Sequence, residues 1–307
     1  MTNREVSKVF KKSVLILMWV VAVCNVHAQK ETYKSGSLLW KISGKDLSEP
    51  SYLLGTFHLK PGEYLDSIQG ARAALQSCKQ LVVEVDMADM AGIALQLQQA
   101  MMMSSDTTYK MLYSKKDYKF ADKQLTSLMG VGLEKLGILK PAAIQLTAVQ
   151  LIYAKHFPNV NPANVLDIYI QSEAVREQKP VLALETANDQ IHILFGIMSL
   201  QRQAESLLCQ LKNTNKITAS VAELVDDYRK GNLNKLYQQL RSDICPSTPS
   251  EIDALNKNRN FAWINKLPDM MKSGSSFIAV GALHLAGEEG LLNLLEKLGY
   301  TVEPIGL

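Results

Sequence analysis

Two histidines of this chain stand in the same local frame. Leu54-Gly55-Thr56-Phe57-His58-Leu59 and Val280-Gly281-Ala282-Leu283-His284-Leu285 each run from a short apolar stretch through a glycine to a histidine. A short apolar run closed by glycine reads as a buried strand with a turn at its end. Both histidines are therefore expected where an α/β sheet delivers its strand ends, the place where open sheets bind ligands. Glu84 and Asp86 follow Leu81-Val82-Val83, and Glu185 follows Val181-Leu182-Ala183-Leu184, so carboxylates are expected at the same edge. Of the five histidines, His27 falls in a leader described below. His156 and His192 lie in helical or Pro-broken context and are read as structural.

Neutral imidazole and carboxylate together suit zinc, manganese, iron or cobalt, and an incomplete protein shell leaves a position for water. A metal held that way lowers the pKa of its water and polarises a carbonyl, which is what amide or ester hydrolysis near neutral pH requires. Gly55 and Gly281, lacking a Cβ, are candidates for turns with positive φ or for backbone amides that approach a developing oxyanion. Structural readings stand beside these. A strand-end histidine is often only a satisfied polar group. Glu84 and Glu185 can cap neighbouring helix N-termini, and Asp86 reads as the cap of a helix beginning near Ala88. Arg259, in Asn256-Lys257-Asn258-Arg259-Asn260-Phe261-Ala262-Trp263, is either a solvated residue or a planar fork that clamps a carboxylate or transition-state charge. Met101-Met102-Met103 reads as packing at a helix end.

The elements that must position these groups follow from periodicity. Ser37 to Ser43 and Ser51 to Phe57, separated by a polar turn, predict a hairpin that leads into His58. A helix is expected from about Leu65 to Cys78, then a β-branched strand from Leu81 to Asp86. From about 87 to 177 the pattern is helical, broken at Pro141, Pro158 and Pro162, and reads as a large insertion. Pro180 to Glu185 is a further strand, Thr186 an N-cap, Phe277 to Val280 the strand that delivers His284, and Thr301 to Ile305 a closing strand. Helices between strands imply a mainly parallel sheet. The expectation is one α/β domain over 29–307, with an N-terminal β-hairpin and a helical insert over about 87–177.

Residues 1–28 carry a basic head (Arg4, Lys8, Lys11, Lys12), an apolar run from Val14 to Cys24 and Val26-His27-Ala28, the pattern of a cleaved signal peptide. A lipoprotein anchor at Cys24 is less favoured, because Val23 stands where a small residue belongs. The chain has 33 Lys and Arg against 30 Asp and Glu. Four of the bases and Glu5 lie in the leader, so the remainder is formally neutral and gives no support for nucleic-acid binding. No segment after the leader is apolar enough to serve as a transmembrane anchor, so the expected location is periplasmic or extracellular. That compartment permits disulfides. Cys209 and Cys245 are the best candidate pair, and Cys78 reads as a buried free thiol.

Gly55-Thr56-Phe57-His58, Val83-Glu84-Val85-Asp86, Leu184-Glu185-Thr186 with Gln190, Arg259-Asn260, and Val280-Gly281-Ala282-Leu283-His284-Leu285 with Gly287 and Gly299-Tyr300, in that order, resemble the TraB/GumN family, which includes the Tiki-type proteases. The resemblance implies a fold related to the erythromycin esterase and ChaN-like proteins, with two G-x-x-H motifs and acidic residues forming the site. It implies His58 and His284 as metal or catalytic histidines, Glu84 as the leading carboxylate, Arg259 as the accompanying arginine, and manganese or cobalt ahead of zinc. The expectation is an exported metal-dependent hydrolase acting on a peptide or protein, with the metal at His58, His284 and Glu84, Glu185 as ligand or general base, and Arg259 orienting substrate. The alternative is a non-catalytic envelope protein that captures a metal, haem or peptide in the same cleft. A purely interaction-based role would leave the strand-end residues without a common ligand.

Overall fold

In a computed structural model, residues 36–156, 161, 164–239 and 244–306 are described. The leader, Pro158 and Pro162 lie outside them. Six strands form one sheet: β1 (Leu39–Ser43), β2 (Ser51–Thr56), β3 (Gln80–Val83), β4 (Val181–Ala183), β5 (Ser276–Gly281) and β6 (Thr301–Ile305). Their order is β4-β3-β5-β2-β1-β6. β5 runs parallel to both β2 and β3, and β3 runs parallel to β4. β1 runs antiparallel to β2 and β6. The mainly parallel sheet with an N-terminal hairpin is thus present. All four residues of β3 and all six of β5 are buried, as strands covered on both faces must be.

The strand ends fall close to their sequence-based positions, with two shifts: β4 ends at Ala183, two residues short of Glu185, and β3 is shorter than expected as well. β3 stops at Val83, so Glu84 leaves the ladder just beyond it and Asp86 caps the next helix by accepting from the Ala88 N–H at 2.8 Å. Thr186 heads the Ala187–Phe195 helix in a reciprocal capping box with Asp189. Pro141 opens the helix Pro141–His156, where its missing N–H costs nothing. Between β3 and β4 the described chain is helical, ending in Leu166–Arg176. Cys209 and Cys245 are joined in a disulfide, and Cys78 is a buried free thiol. Among the described residues, no helix is long and apolar enough to cross a membrane.

Gly55 and Gly281 serve the fold differently from the expectation. Neither has positive φ. A Cβ on Gly55 would lie 3.0 Å from the Ala282 Cα and from Leu285 Cδ2, so any side chain there would press on the chain after β5 where it passes the end of β2. The Gly55 N–H donates to the Leu38 carbonyl at 2.9 Å and the Gly281 N–H to Glu84 Oε1 at 2.8 Å. Both amides are thus engaged within the protein and not held ready for an oxyanion.

Candidate functional site

Four of the expected residues meet at one buried point. The Lys257–Ile264 helix carries Arg259, 5% exposed, to the end of the sheet between the two strand-end glutamates. Its Nε donates to Glu185 Oε1 at 2.7 Å, and its Nη2 donates to Glu84 Oε2 at 2.5 Å and Glu185 Oε2 at 3.0 Å. Nη1 donates to the Leu255 carbonyl at 3.2 Å and lies 3.0 Å from His284 Nε2. Burial works against the charge on the guanidinium, but Glu84 and Glu185 outweigh it and hold its pKa above the ordinary value. The second carboxylate is fixed further by Trp263 Nε1 at 2.9 Å and Gln190 Nε2 at 2.6 Å.

His284 follows β5 in a short 3₁₀ turn and is fully buried. Asn260 sets its tautomer. The Asn260 amide donates to the His284 and Glu289 carbonyls, which turns its Oδ1 toward His284 Nδ1 at 2.6 Å. Nδ1 therefore carries the proton, and Nε2 accepts from Arg259. Burial, then the neighbouring Arg259 and His58, push the His284 pKa well below its ordinary value, so the ring is neutral.

His58 lies apart from that hydrogen-bonded cluster but beside it, since Glu84 and Arg259 both influence its titration. Its partner comes from the helical region: Asp167, in the first turn of Leu166–Arg176, accepts from Thr56 Oγ1 at 2.5 Å and meets His58 Nδ1 at 2.5 Å. The Leu166 N–H bonds the Lys60 carbonyl at 2.9 Å, and a Pro61–Val165 bridge ties the loop after His58 to that helix start. Burial opposes protonation of His58, but Asp167 more than compensates and raises its pKa above the usual value. His58 Nε2 is buried without a hydrogen-bond partner among the described residues. Asp167 has one local signal in the sequence, an acidic residue in a helix's first turn, and nothing there links it to His58.

A cavity of about 220 Å³ is lined by His58 and Arg259 at one part and by aliphatic side chains over much of its wall. The donor types present suit a divalent cation, and His58 has the expected form of a ligand: a free Nε2 with a carboxylate fixing Nδ1. Glu84 and His284 do not share that freedom, because Arg259 and the Gly281 N–H use their acceptor atoms. Among the described residues, no group of three or more His, Cys, Asp and Glu is arranged to hold a metal. The trio His58, His284 and Glu84 is brought into one neighbourhood without facing a common point.

The two histidines impose opposite pH dependences on stability. Unfolded His284 takes up a proton below about 6.5 while the folded ring does not, so its contribution is intact above that value and falls as pH drops. His58 gains a partner on folding, so its contribution is full below about 6.5 and fades as pH rises through its raised pKa. The unfolding midpoint should therefore decline on both sides, and His284→Gln should flatten the acid limb. Thermal unfolding from about pH 5 to 8 measures this; an unchanged acid limb in the variant would refute the assignment.

The comparisons with known proteins establish the family. The TraB/PrgY/gumN family model matches residues 38–304, and the chain belongs to that family. It is similar to metalloprotease TIKI2 of Danio rerio, 24% identical over 94% of this chain and 67% of that protein. It is also similar to metalloprotease TIKI1 of Xenopus tropicalis, 23% identical over 91% of this chain and 63% of the relative. The uncharacterized protein YbaP of Escherichia coli is 34% identical over 42% of this chain and 47% of its own length. The chain thus spans about two thirds of the length of the TIKI proteins it matches. No solved structure matches it significantly.

Proposed function

We propose that this chain is an exported metal-dependent hydrolase that cuts peptide amide bonds beside His58. The observation that carries the reading is that His58, which lines the cavity, has an Nε2 with no hydrogen-bond partner among the described residues while Asp167 fixes the opposite ring nitrogen. Metal-ligating histidines are held in this way, and the relatives named metalloproteases support the same class. His58 Nε2 would hold the metal, with Glu84 and His284 joining only if Arg259 releases them. Bound there, a divalent metal supplies a water of lowered pKa and polarises the substrate carbonyl. Asp167 holds the His58 ring in register, while Arg259, which also lines the cavity, holds Glu84 and Glu185 in place beside it. Manganese or cobalt is favoured over zinc.

A second reading has its own support. The raised His58 pKa suits a general base acting through Nε2 without metal. Cleavage of a fluorogenic peptide library by chelator-stripped protein, before and after adding manganese, cobalt or zinc, separates the two. Activity restored by metal and absent in His58→Ala supports the proposal. Undiminished activity after stripping transfers the role to His58 as base, and cleavage retained by His58→Ala defeats both.

A further inference from the structure

The cavity holds a second polar group that the hydrolytic reading does not use. Arg202, Ser206 and Gln210 recur at four-residue intervals on the Leu200–Lys212 helix and all line the cavity. Arg202 is paired with Glu251, its Nε 2.9 Å from Oε1, and Ser206 Oγ accepts from Gln145 Nε2 at 3.1 Å. Gln210 is 2% exposed, and among the described residues both its Nε2 and its Oε1 lack a partner. A buried amide with donor and acceptor both unmet is costly and marks a place where a ligand completes the hydrogen bonding. The same cavity is lined by aliphatic Leu146, Val149, Ile193, Ile197, Val221 and Leu224, together with polar Ser220, Gln239 and Ser247. At about 220 Å³ the space exceeds the roughly 150 Å³ apolar cavity known to hold benzene.

We propose that Gln210 is a substrate-recognition residue that pairs with the N–H and C=O of one residue in an extended peptide, whose aliphatic side chain fills the cavity. A residue in extended conformation presents its N–H and C=O to the same side, as strands do when they exchange both bonds with a facing residue. The Gln210 carboxamide supplies the matching acceptor and donor on one planar group. The aliphatic wall then selects the side chain by burial and excludes charged residues. This inference rests on the peptide-hydrolase reading and names its substrate class: peptides with a bulky aliphatic residue near the scissile bond.

The test is calorimetric binding of acetyl-Gly-Leu-Val-Leu-Gly-amide to the full chain carrying His58→Ala, with and without Gln210→Met. Gln210→Met should leave the unfolding midpoint of the unliganded protein unchanged or raised, because it removes an unsatisfied amide. Peptide affinity should fall about tenfold or more, the effect of losing two hydrogen bonds. Replacing the central amide of the peptide by an ester should weaken binding to the Gln210 protein and add little further loss in the Met variant. Equal peptide affinity in both proteins overturns the proposal and shows the cavity amide to be met by water; no measurable binding to either overturns it as well. Gln210-dependent binding of a peptide that wild type with metal never cleaves keeps this inference and removes the hydrolase reading. Cleavage with a KM indifferent to Gln210→Met does the reverse.

Discussion

Arg259→Leu is expected to lower global stability by about 3–5 kcal/mol, an unfolding-midpoint drop on the order of 10 °C for a chain of this size. The reason is the position of the guanidinium, which supplies five hydrogen bonds to two buried carboxylates, a buried imidazole and a helix carbonyl. Removing it leaves Glu84 and Glu185 facing each other at 7% and 8% exposure without a cation between them. Arg259→Lys should recover only part of the loss, since an ammonium cannot present a planar fork to both carboxylates. Glu84→Gln with Glu185→Gln in the Arg259→Leu background should restore more, because the uncompensated charge is then gone. Differential scanning calorimetry of the variants measures each step; a midpoint shift below about 2 °C in Arg259→Leu would mean that the buried cluster does not organise this end of the sheet.

His58→Ala is expected to reduce peptide hydrolysis by about 10³-fold or more while leaving the fold intact, because both the metal-holding and the general-base roles end at Nε2. Asp167→Asn should cost less, about 10–100-fold, by loosening the orientation of the ring. His284→Ala should behave differently. Its Nδ1 and Nε2 are both used inside the protein, so its loss should fall mainly on stability, exposing unsatisfied Asn260 and Arg259 groups. Initial rates together with unfolding midpoints for the three variants separate these outcomes.

Much of this arrangement is legible in the residues alone. The repeated glycine-histidine frame and the carboxylates after apolar runs marked the ends of β2, β3, β4 and β5, because strand ends in a parallel sheet are read directly from short buried runs. What was not legible depends on closure of the fold. Asp167 comes from a helix far along the chain and reaches His58 only after the region between β3 and β4 packs back on the loop at Lys60 and Pro61. Arg259 is legible as a clamp, but its residue type points to substrate or transition-state charge, whereas it grips Glu84 and Glu185. The resemblance assigned His58 and His284 alike; Asn260 and Arg259 on one side and Asp167 on the other make them unequal, one saturated and one with a free nitrogen. Gln210 carries no signal in an amphipathic helix, since only the surrounding walls reveal that its amide is unmet.

The most direct measurement is the metal-dependent shift of the unfolding midpoint for chelator-stripped wild type, His58→Ala and His284→Ala, with manganese, cobalt, zinc and calcium. A ligand that binds the folded state raises the midpoint by mass action. Stabilisation of wild type by manganese, cobalt or zinc, abolished in His58→Ala and at least partly kept in His284→Ala, is the expected result. Equal stabilisation of wild type and His58→Ala would contradict the claim that the free nitrogen of His58 is where the chemistry begins.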